Sequence, residues 1–427
     1  LLSLDESIVG FFGGYGSGKS RGGAIWLTLE LLKKPGLPAL IGAPTNNILT
    51  SATLQEFEAV AGPIIVGQNK NEGWYLLRTG SIVWYRSLDR PKSLEGINAG
   101  LGWLDEATLC SREGWRVFNG RVRLPGADGR SRIACTGTPV AGTWCQDEFD
   151  SCREDRGFVR VDSRENIHLS ANVISTWLGS MSARDADAYI RGFWLRQSGR
   201  VFAEFDRKRH LIDYSPDPSL TVDIGVDFGL KYPGVVFTQW IPDGRFLHRG
   251  ILPSSIVVFD EIVRDNLTTE GLGRLIAQRV PETGKLRLGR IACDPAGASH
   301  SSSASEHGGT LDVQALINGI RDEYTEREVS HPEYLFGKGT GELRSRATGV
   351  EKMRTLLLNG HEQTFLWFSN KLIETKSERG VIKAMEGHIY KDGTQREVRG
   401  GEHQYDHILD ALRYRIRHYF LRGARSY

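Results

Sequence analysis

An apolar run at 8–12 enters Gly13–Gly14–Tyr15–Gly16–Ser17–Gly18–Lys19–Ser20, and a helix-forming stretch at 23–32 follows. Buried strand, G-x-x-x-x-G-K-[ST], helix: few folds tolerate that order, and those that do bind a phosphate chain where the helix begins. The glycines let backbone N–H groups converge on a triphosphate, Lys19 reaches its outer phosphates, and the Ser20 hydroxyl holds Mg²⁺. Gly13, Gly14, Gly16, Ser17, Gly18, Lys19 and Ser20 are therefore candidate nucleotide-binding residues. A flexible turn would carry the glycines but would not need the strand, the lysine and the helix in this order.

Short apolar strands then alternate with helical segments, the pattern of a parallel sheet. Residues 39–43, 101–104 and 132–136 read as further core strands, and 82–85 as the hairpin partner of 75–77 across 78–80. From 147 to about 199 no strand is expected. A helix at 182–197 with aromatic residues on its face makes that region a small helical lid or linker.

The strand Leu101–Gly102–Trp103–Leu104 ends in Asp105–Glu106. After a phosphate loop, such a pair divides the labour of phosphoryl transfer: Asp105 holds Mg²⁺ and Glu106 orients and deprotonates the attacking water. Thr136, in Ala134–Cys135–Thr136–Gly137–Thr138–Pro139, ends the next strand, where a hydroxyl lies near a γ-phosphate; a polar strand terminus is the bland alternative. Arg21, Arg86 and Arg90 are candidates for the arginine that neutralises charge on the transferred group. The sequence does not choose among them.

A new strand series begins near residue 200. Segments 201–205, 221–225, 234–239, 246–252 and 256–263 read as strands, the third and fourth as a hairpin. A helix at 267–280, a strand at 290–293 and a terminal helix at 404–417 complete a mixed unit. Residues 298–310, rich in Ser and Gly, read as a loop. Asp227 follows Ile224–Gly225–Val226, whose glycine is read as room for a phosphate backbone; Asp294 ends the strand Ile291–Ala292–Cys293. Asp406, His407 and Asp410 share one face of the terminal helix by their three- and four-residue spacing. Aspartates that end apolar strands are costly unless they bind something. Asp227, Asp294 and Asp410, with Asp406 and His407 behind them, could hold two Mg²⁺ or Mn²⁺ ions about 4 Å apart for phosphodiester hydrolysis. Asp260 and Glu261 could supply another ligand, though an exposed strand edge is the favoured reading.

With 427 residues the chain exceeds one ordinary core, so two domains are expected, 1–200 (its lid at about 147–200) and 201–427. At 40% hydrophobic and 25% charged residues it reads as soluble and globular, without an apolar run of membrane-spanning length. Fifty-four basic against fifty-two acidic residues leave +2, so any nucleic-acid contact must come from local basic patches. The stretches 338–354 and 413–425 qualify, as phosphate contacts or as solvated helix faces. Five cysteines without a C-x-x-C pair fit reduced thiols better than disulfides or zinc. The chain opens on Leu1 with no signal-peptide pattern, so its first residues are expected to be cut short or incomplete.

In this order, GGYGSGKS, LGWLDEA, TGTP, GVDFG, ACDPA and YDHILDALRY resemble the large terminase subunit of tailed bacteriophages, over nearly the whole chain. The resemblance implies an α/β architecture: a P-loop ATPase of the additional-strand type with a parallel central sheet and helical lid, then a ribonuclease H-like nuclease domain with a mixed sheet. It implies that Lys19, Asp105 and Glu106 serve ATP hydrolysis with Mg²⁺, and that Asp227, Asp294 and Asp410 bind Mg²⁺ or Mn²⁺ for cutting. The implied partners are double-stranded DNA, a portal on a procapsid, a small terminase subunit and further copies in a docked ring, in the cytoplasm of an infected bacterium and away from membranes. Two positions depart from the family: Tyr15 stands where many members carry Arg, and only twelve residues precede Gly13, so the upstream adenine-contacting segment is missing or shortened. Rival readings are a helicase–nuclease of DNA repair, which would need helicase motifs between Thr138 and Asp227 where none is visible, and a nucleotide-switched DNA-binding scaffold with an inactive nuclease, which metal-dependent nicking would exclude.

Overall fold

The computed structural model describes residues 1–140, 143–150, 155–194, 199–228, 233–281, 283–293, 312–324, 346–374, 379–390 and 405–423. Contacts divide the chain into two compact units, Leu1–Leu178 with Arg184–Gln197, and Gly179–Ala183 with Ser198–Tyr427.

The first unit is built on an eight-stranded sheet. Its strands are β1 (Ile8–Gly13), β2 (Ala39–Ala43), β3 (Ile65–Asn69), β4 (Trp74–Leu77), β5 (Ile82–Ser87), β6 (Leu101–Leu104), β7 (Arg132–Gly137) and β8 (Arg156–Val161), in the order β3-β4-β5-β2-β6-β7-β1-β8. From β5 to β8 every pairing is parallel; β3 and β4 add an antiparallel extension at one edge. β2, β6 and β7 are buried along their whole length, as apolar strands covered on both faces must be. β7 lies between the phosphate-loop strand β1 and the acid-bearing strand β6, which is the additional-strand arrangement. Two apolar clusters, around Phe12, Leu104 and Phe118 on one side and Leu27, Ile41 and Trp103 on the other, sandwich the sheet.

β8 corrects the expectation that 147–199 lacks strands. Its residues alternate between intermediate and exposed, because it closes the sheet at an edge, and so it carries no apolar run. The helix expected over 182–197 covers only Ala183–Tyr189 among the described residues.

The second unit holds β9 (Leu211–Ile212), β10 (Thr221–Asp227), β11 (Gly234–Ile241), β12 (Ser255–Val263), β13 (Arg287–Cys293) and β14 (Leu366–Ser369), ordered β13-β10-β11-β12-β14-β9. β10, β11 and β12 form an antiparallel meander, and β13 lies parallel to β10. That mixed four-strand core is ribonuclease H-like. Helices Thr269–Arg279 and Asp312–Glu323 cover one face; Arg346–Leu357, Val381–Gly387 and the last helix, Asp406–Gly423, cover the other.

Three strand expectations change here. Segment 246–252 is no strand: Gly244–Arg249 forms 3₁₀ turns ended by Gly250 at φ 78°, and β12 is the partner of β11. Residues 201–205 form turns packed into the core rather than a strand. β14 pairs only with Ile256–Val258 of β12, so Asp260 and Glu261 have a strand partner on the β11 side alone, yet that edge is covered rather than exposed: Glu261 is buried. Asp260 pairs with Arg279 at 2.6 Å, and buried Glu261 accepts the Val381 N–H at 2.7 Å, capping a helix that has no other cap. The loop read at 298–310 lies outside the described residues. No described helix is long and apolar enough to cross a membrane, and the four described cysteines are buried.

His210 is fully buried, its Nε2 2.8 Å from the Leu357 carbonyl and its Nδ1 2.9 Å from the Asp206 carbonyl. Burial outweighs these hydrogen bonds and holds its pKa below 6.5. The folded state thus keeps His210 neutral where the unfolded chain takes a proton. Its share of stability is present above pH 6.5 and is lost as pH falls through the depressed folded value. Unfolding midpoints measured at about pH 7.5 and about pH 5.5 should fall further for the parent than for His210→Gln; parallel losses would place the acid limb elsewhere.

Candidate functional site

β1 leads into the glycine-rich loop, and Gly18, at φ 83°, turns it into the helix Lys19–Lys33. A residue with a Cβ would be strained in that left-handed conformation. No side chain caps this helix and no acid lies in its first turn, so its leading amides face outward without a competing acceptor from a cap. Ser17 Oγ is buried without a hydrogen-bond partner among the described residues.

Asp105, 1% exposed at the end of β6, organises the centre. Its Oδ1 accepts hydrogen bonds from Ser20 Oγ at 3.0 Å and Thr136 Oγ1 at 2.6 Å, and its Oδ2 accepts one from Thr53 Oγ1 at 2.8 Å. Trp103 Nε1 in turn donates to Thr136 Oγ1 at 2.9 Å. Thr136 therefore reaches the loop through Asp105 and is itself fully buried. Thr53 was missed by sequence reasoning: it ends a π-turn, Leu49–Thr53, fifty-two residues from its partner, and nothing local marks it.

Glu106 sits at φ 46°, one of four non-glycine residues with positive φ among those described. Such strain persists only where the surroundings impose it, and it clusters at functional sites. The carboxylate lies 3.6 Å from Lys19 Nζ and accepts a backbone hydrogen bond from Thr138. Burial nevertheless raises its pKa, and the Asp105 charge adds to the rise. The site thus holds a strained, desolvated carboxylate of raised basicity beside a lysine.

Segments beyond β8 buttress the loop. Tyr15 N–H donates to the Tyr189 carbonyl at 2.6 Å, the two rings stack at 4.9 Å, and Asn166 Nδ2 donates to the Gly16 carbonyl at 2.7 Å. Of the arginine candidates, Arg21 pairs with Glu56 at 3.1 Å. Arg86 is engaged by the Gly73 and Tyr85 carbonyls at 3.0 and 2.8 Å, and with Arg90 it lines a cavity of about 690 Å³.

In the second unit, Asp227 ends β10, buried, with Oδ2 2.5 Å from His407 Nδ1. That hydrogen bond is the leading cause of a raised His407 pKa, with the Asp227, Asp406 and Asp410 charges adding to it. Arg346 reaches Asp406 at 3.1 Å and Asp410 at 3.5 Å, and Arg413 reaches Asp410 at 3.0 Å. Asp294 lies outside the described residues. Carboxylates and an imidazole are fitting donors for Mg²⁺ or Mn²⁺, yet among the described residues no three acidic, His or Cys groups converge to hold an ion.

The last helix is stapled to β10 at two points. His407 meets Asp227, and Arg415 meets buried Asp223 at 2.7 Å. Eight residues of helix span ~12 Å, and four residues of strand span ~13 Å, so the two pairs match when helix and strand run oppositely. Midway between them, a Cβ on Gly225 would collide with the Ala411 carbonyl. Gly225 therefore admits this helix, which corrects its reading as room for a phosphate backbone. Arg354, in the other basic stretch, is likewise buried, against Glu204 at 2.8 Å. Neither solvated face nor phosphate contact describes Arg354, Arg413 or Arg415; Lys338, Arg344 and Arg425 lie outside the described residues.

Residues 11–209 match the family model described as terminase large subunit, T4likevirus-type, N-terminal. Over those residues the chain is similar to the N-terminal part of large terminase subunits. The PBSX phage terminase large subunit of Bacillus subtilis (strain 168) is 29% identical over 156 residues, 35% of this chain and 36% of that relative, so the aligned part spans about a third of its length. Among solved structures, the large terminase of the thermophilic bacteriophage D6E covers 96% of this chain and 93% of its own at 15% identity and a TM-score of 0.46. The Thermus phage P74-26 large terminase ATPase domain covers 44% and 88% at 16% identity and a TM-score of 0.37.

Gly225→Ala forces a methyl group against the helix backbone and should cost about 1–3 kcal/mol. Thermal unfolding followed by tryptophan fluorescence should show an earlier transition, and an unchanged midpoint would mean that the helix packs less closely on β10.

Proposed function

We propose that the protein is the motor subunit of a viral DNA-packaging machine, an ATPase in residues 1–200 joined to an endonuclease in residues 201–427. The observation that carries the reading is the buried Asp105, hydrogen-bonded to Ser20 of the phosphate loop, with strained Glu106 next to it facing Lys19. That arrangement is preorganised for phosphoryl transfer, in which a protein's contribution is position and charge.

The uncapped helix amides, the orphaned Ser17 hydroxyl and the Ser20–Asp105 pair fit a magnesium nucleotide. Bound Mg²⁺–ATP would supply the anhydride to be cleaved and positive charge beside it. The helix amides and Lys19 would receive the phosphates, while Ser20 and Asp105 would hold the cation. Thr53 and Thr136 fix both Asp105 oxygens, so that the carboxylate is set before substrate arrives. Glu106, of raised basicity, accepts a proton from the attacking water.

For the second unit, Asp227, Asp294 and Asp410, with Asp406 and His407, are proposed as the Mg²⁺ or Mn²⁺ ligands of a nuclease that cuts concatemeric DNA. The ribonuclease H-like sheet and the Asp227–His407 contact support this reading. Double-stranded DNA, the portal of a procapsid, a small terminase subunit and a ring of further copies are the proposed partners, in the host cytoplasm. The deciding experiment is ATPase stimulation: empty procapsids should stimulate turnover more than free DNA does, whereas the reverse would favour a helicase–nuclease.

Glu106→Gln should leave ATP binding near normal and slow hydrolysis at least ~100-fold, the usual contribution of a general base. Lys19→Ala should abolish turnover, and both variants should keep metal-dependent nicking. Asp227→Asn should do the opposite, losing nicking and keeping ATPase. Steady-state ATPase and plasmid-nicking assays on the same preparations decide it, and loss of both activities in any one folded variant would defeat the two-site reading.

A further inference from the structure

The acids of the second unit are charge-compensated from within. Arg346 bridges Asp406 and Asp410 through its two terminal nitrogens, at 3.1 and 3.5 Å, and the three side chains are only 16–19% exposed. Arg346 is also the first residue of the helix Arg346–Leu357, whose first turn holds no acid. A cation at a helix N-terminus opposes the helix dipole, so the helix gives Arg346 no electrostatic reason to sit there; the two aspartates do. Its planar fork suits a pair of carboxylates in a way a lysine would not.

We propose that Arg346 is a built-in counter-cation which a divalent metal must displace to reach Asp406 and Asp410. The inference rests on the nuclease reading of this cluster. The guanidinium stands between two acids that would otherwise repel one another. Metal and Arg346 are alternative partners of the same oxygens, so removing the guanidinium removes a competitor while leaving every proposed ligand in place.

The test is Mn²⁺ binding by the full chain, without DNA, measured by titration calorimetry on the parent, Arg346→Gln and Arg346→Lys. Arg346→Gln should bind Mn²⁺ roughly tenfold tighter, the scale of one lost competing ion pair, and Arg346→Lys should fall between. In thermal unfolding, Arg346→Gln should be less stable than the parent without metal and gain more from added Mn²⁺, a pattern that a simple helix anchor would not give. Equal or weaker Mn²⁺ binding by Arg346→Lys, which keeps the charge and the fold, and by Arg346→Gln would overturn the counter-cation while leaving the nuclease reading intact. If neither the parent nor the variants bind Mn²⁺, the nuclease reading fails, and the proposal with it.

Discussion

A carboxylate removed from water must find donors within the protein, and both units are organised around meeting that demand. Asp105 draws in one hydroxyl from the helix Lys19–Lys33, one from the π-turn and one from β7, so that three separate segments converge on two oxygen atoms. Asp223 does the same with Arg415 and the backbone N–H of Arg290, joining the last helix and β13 to β10. Each acid is worth more as a joint between segments than as a single pair, because loss of one donor leaves a buried charge partly unmet.

The two joints differ in what they hold. Around Asp105 the donors are neutral hydroxyls, which leave the negative charge available to a cation. Around Asp223 the donor is itself charged, Arg415 with a side chain 3% exposed, and the account is closed. Buried acids with neutral donors are thus the better guide to a binding site, and those with charged donors to architecture. Asp406 and Asp410 lie between these cases, partly exposed and paired with arginines.

Much of the first unit was legible because its chemistry is local: strand, loop and helix are contiguous, and β6 ends directly in its two acids. What escaped were elements whose identity depends on distant partners. β8 has the mixed pattern of an edge, and its pairing with β1 is set by residues nearly 150 positions away. The arginines of the last helix recur like a solvated or DNA-facing stripe, yet Arg415 turns inward to an acid 192 residues earlier. Helix Asp312–Glu323 follows a Ser- and Gly-rich stretch and has no local mark, while Arg346–Leu357 was legible only as one of two alternatives for a basic stretch, a helix face or a phosphate contact. In the second unit the proposed ligands were legible as residues, but their counter-ions were not.

The contact between Asp227 and His407 joins residues 180 positions apart. On a ribosome adding about 5–20 residues each second, Asp227 is made roughly 10–35 s before its partner. During that interval β10 can pair with β11 and β12, but the face destined for the last helix is bare, with Asp223 lacking its arginine. A nascent chain can therefore fold its first unit well before its acid cluster exists in assembled form. Order of synthesis alone keeps that cluster incomplete until the helix Asp406–Gly423 has been made.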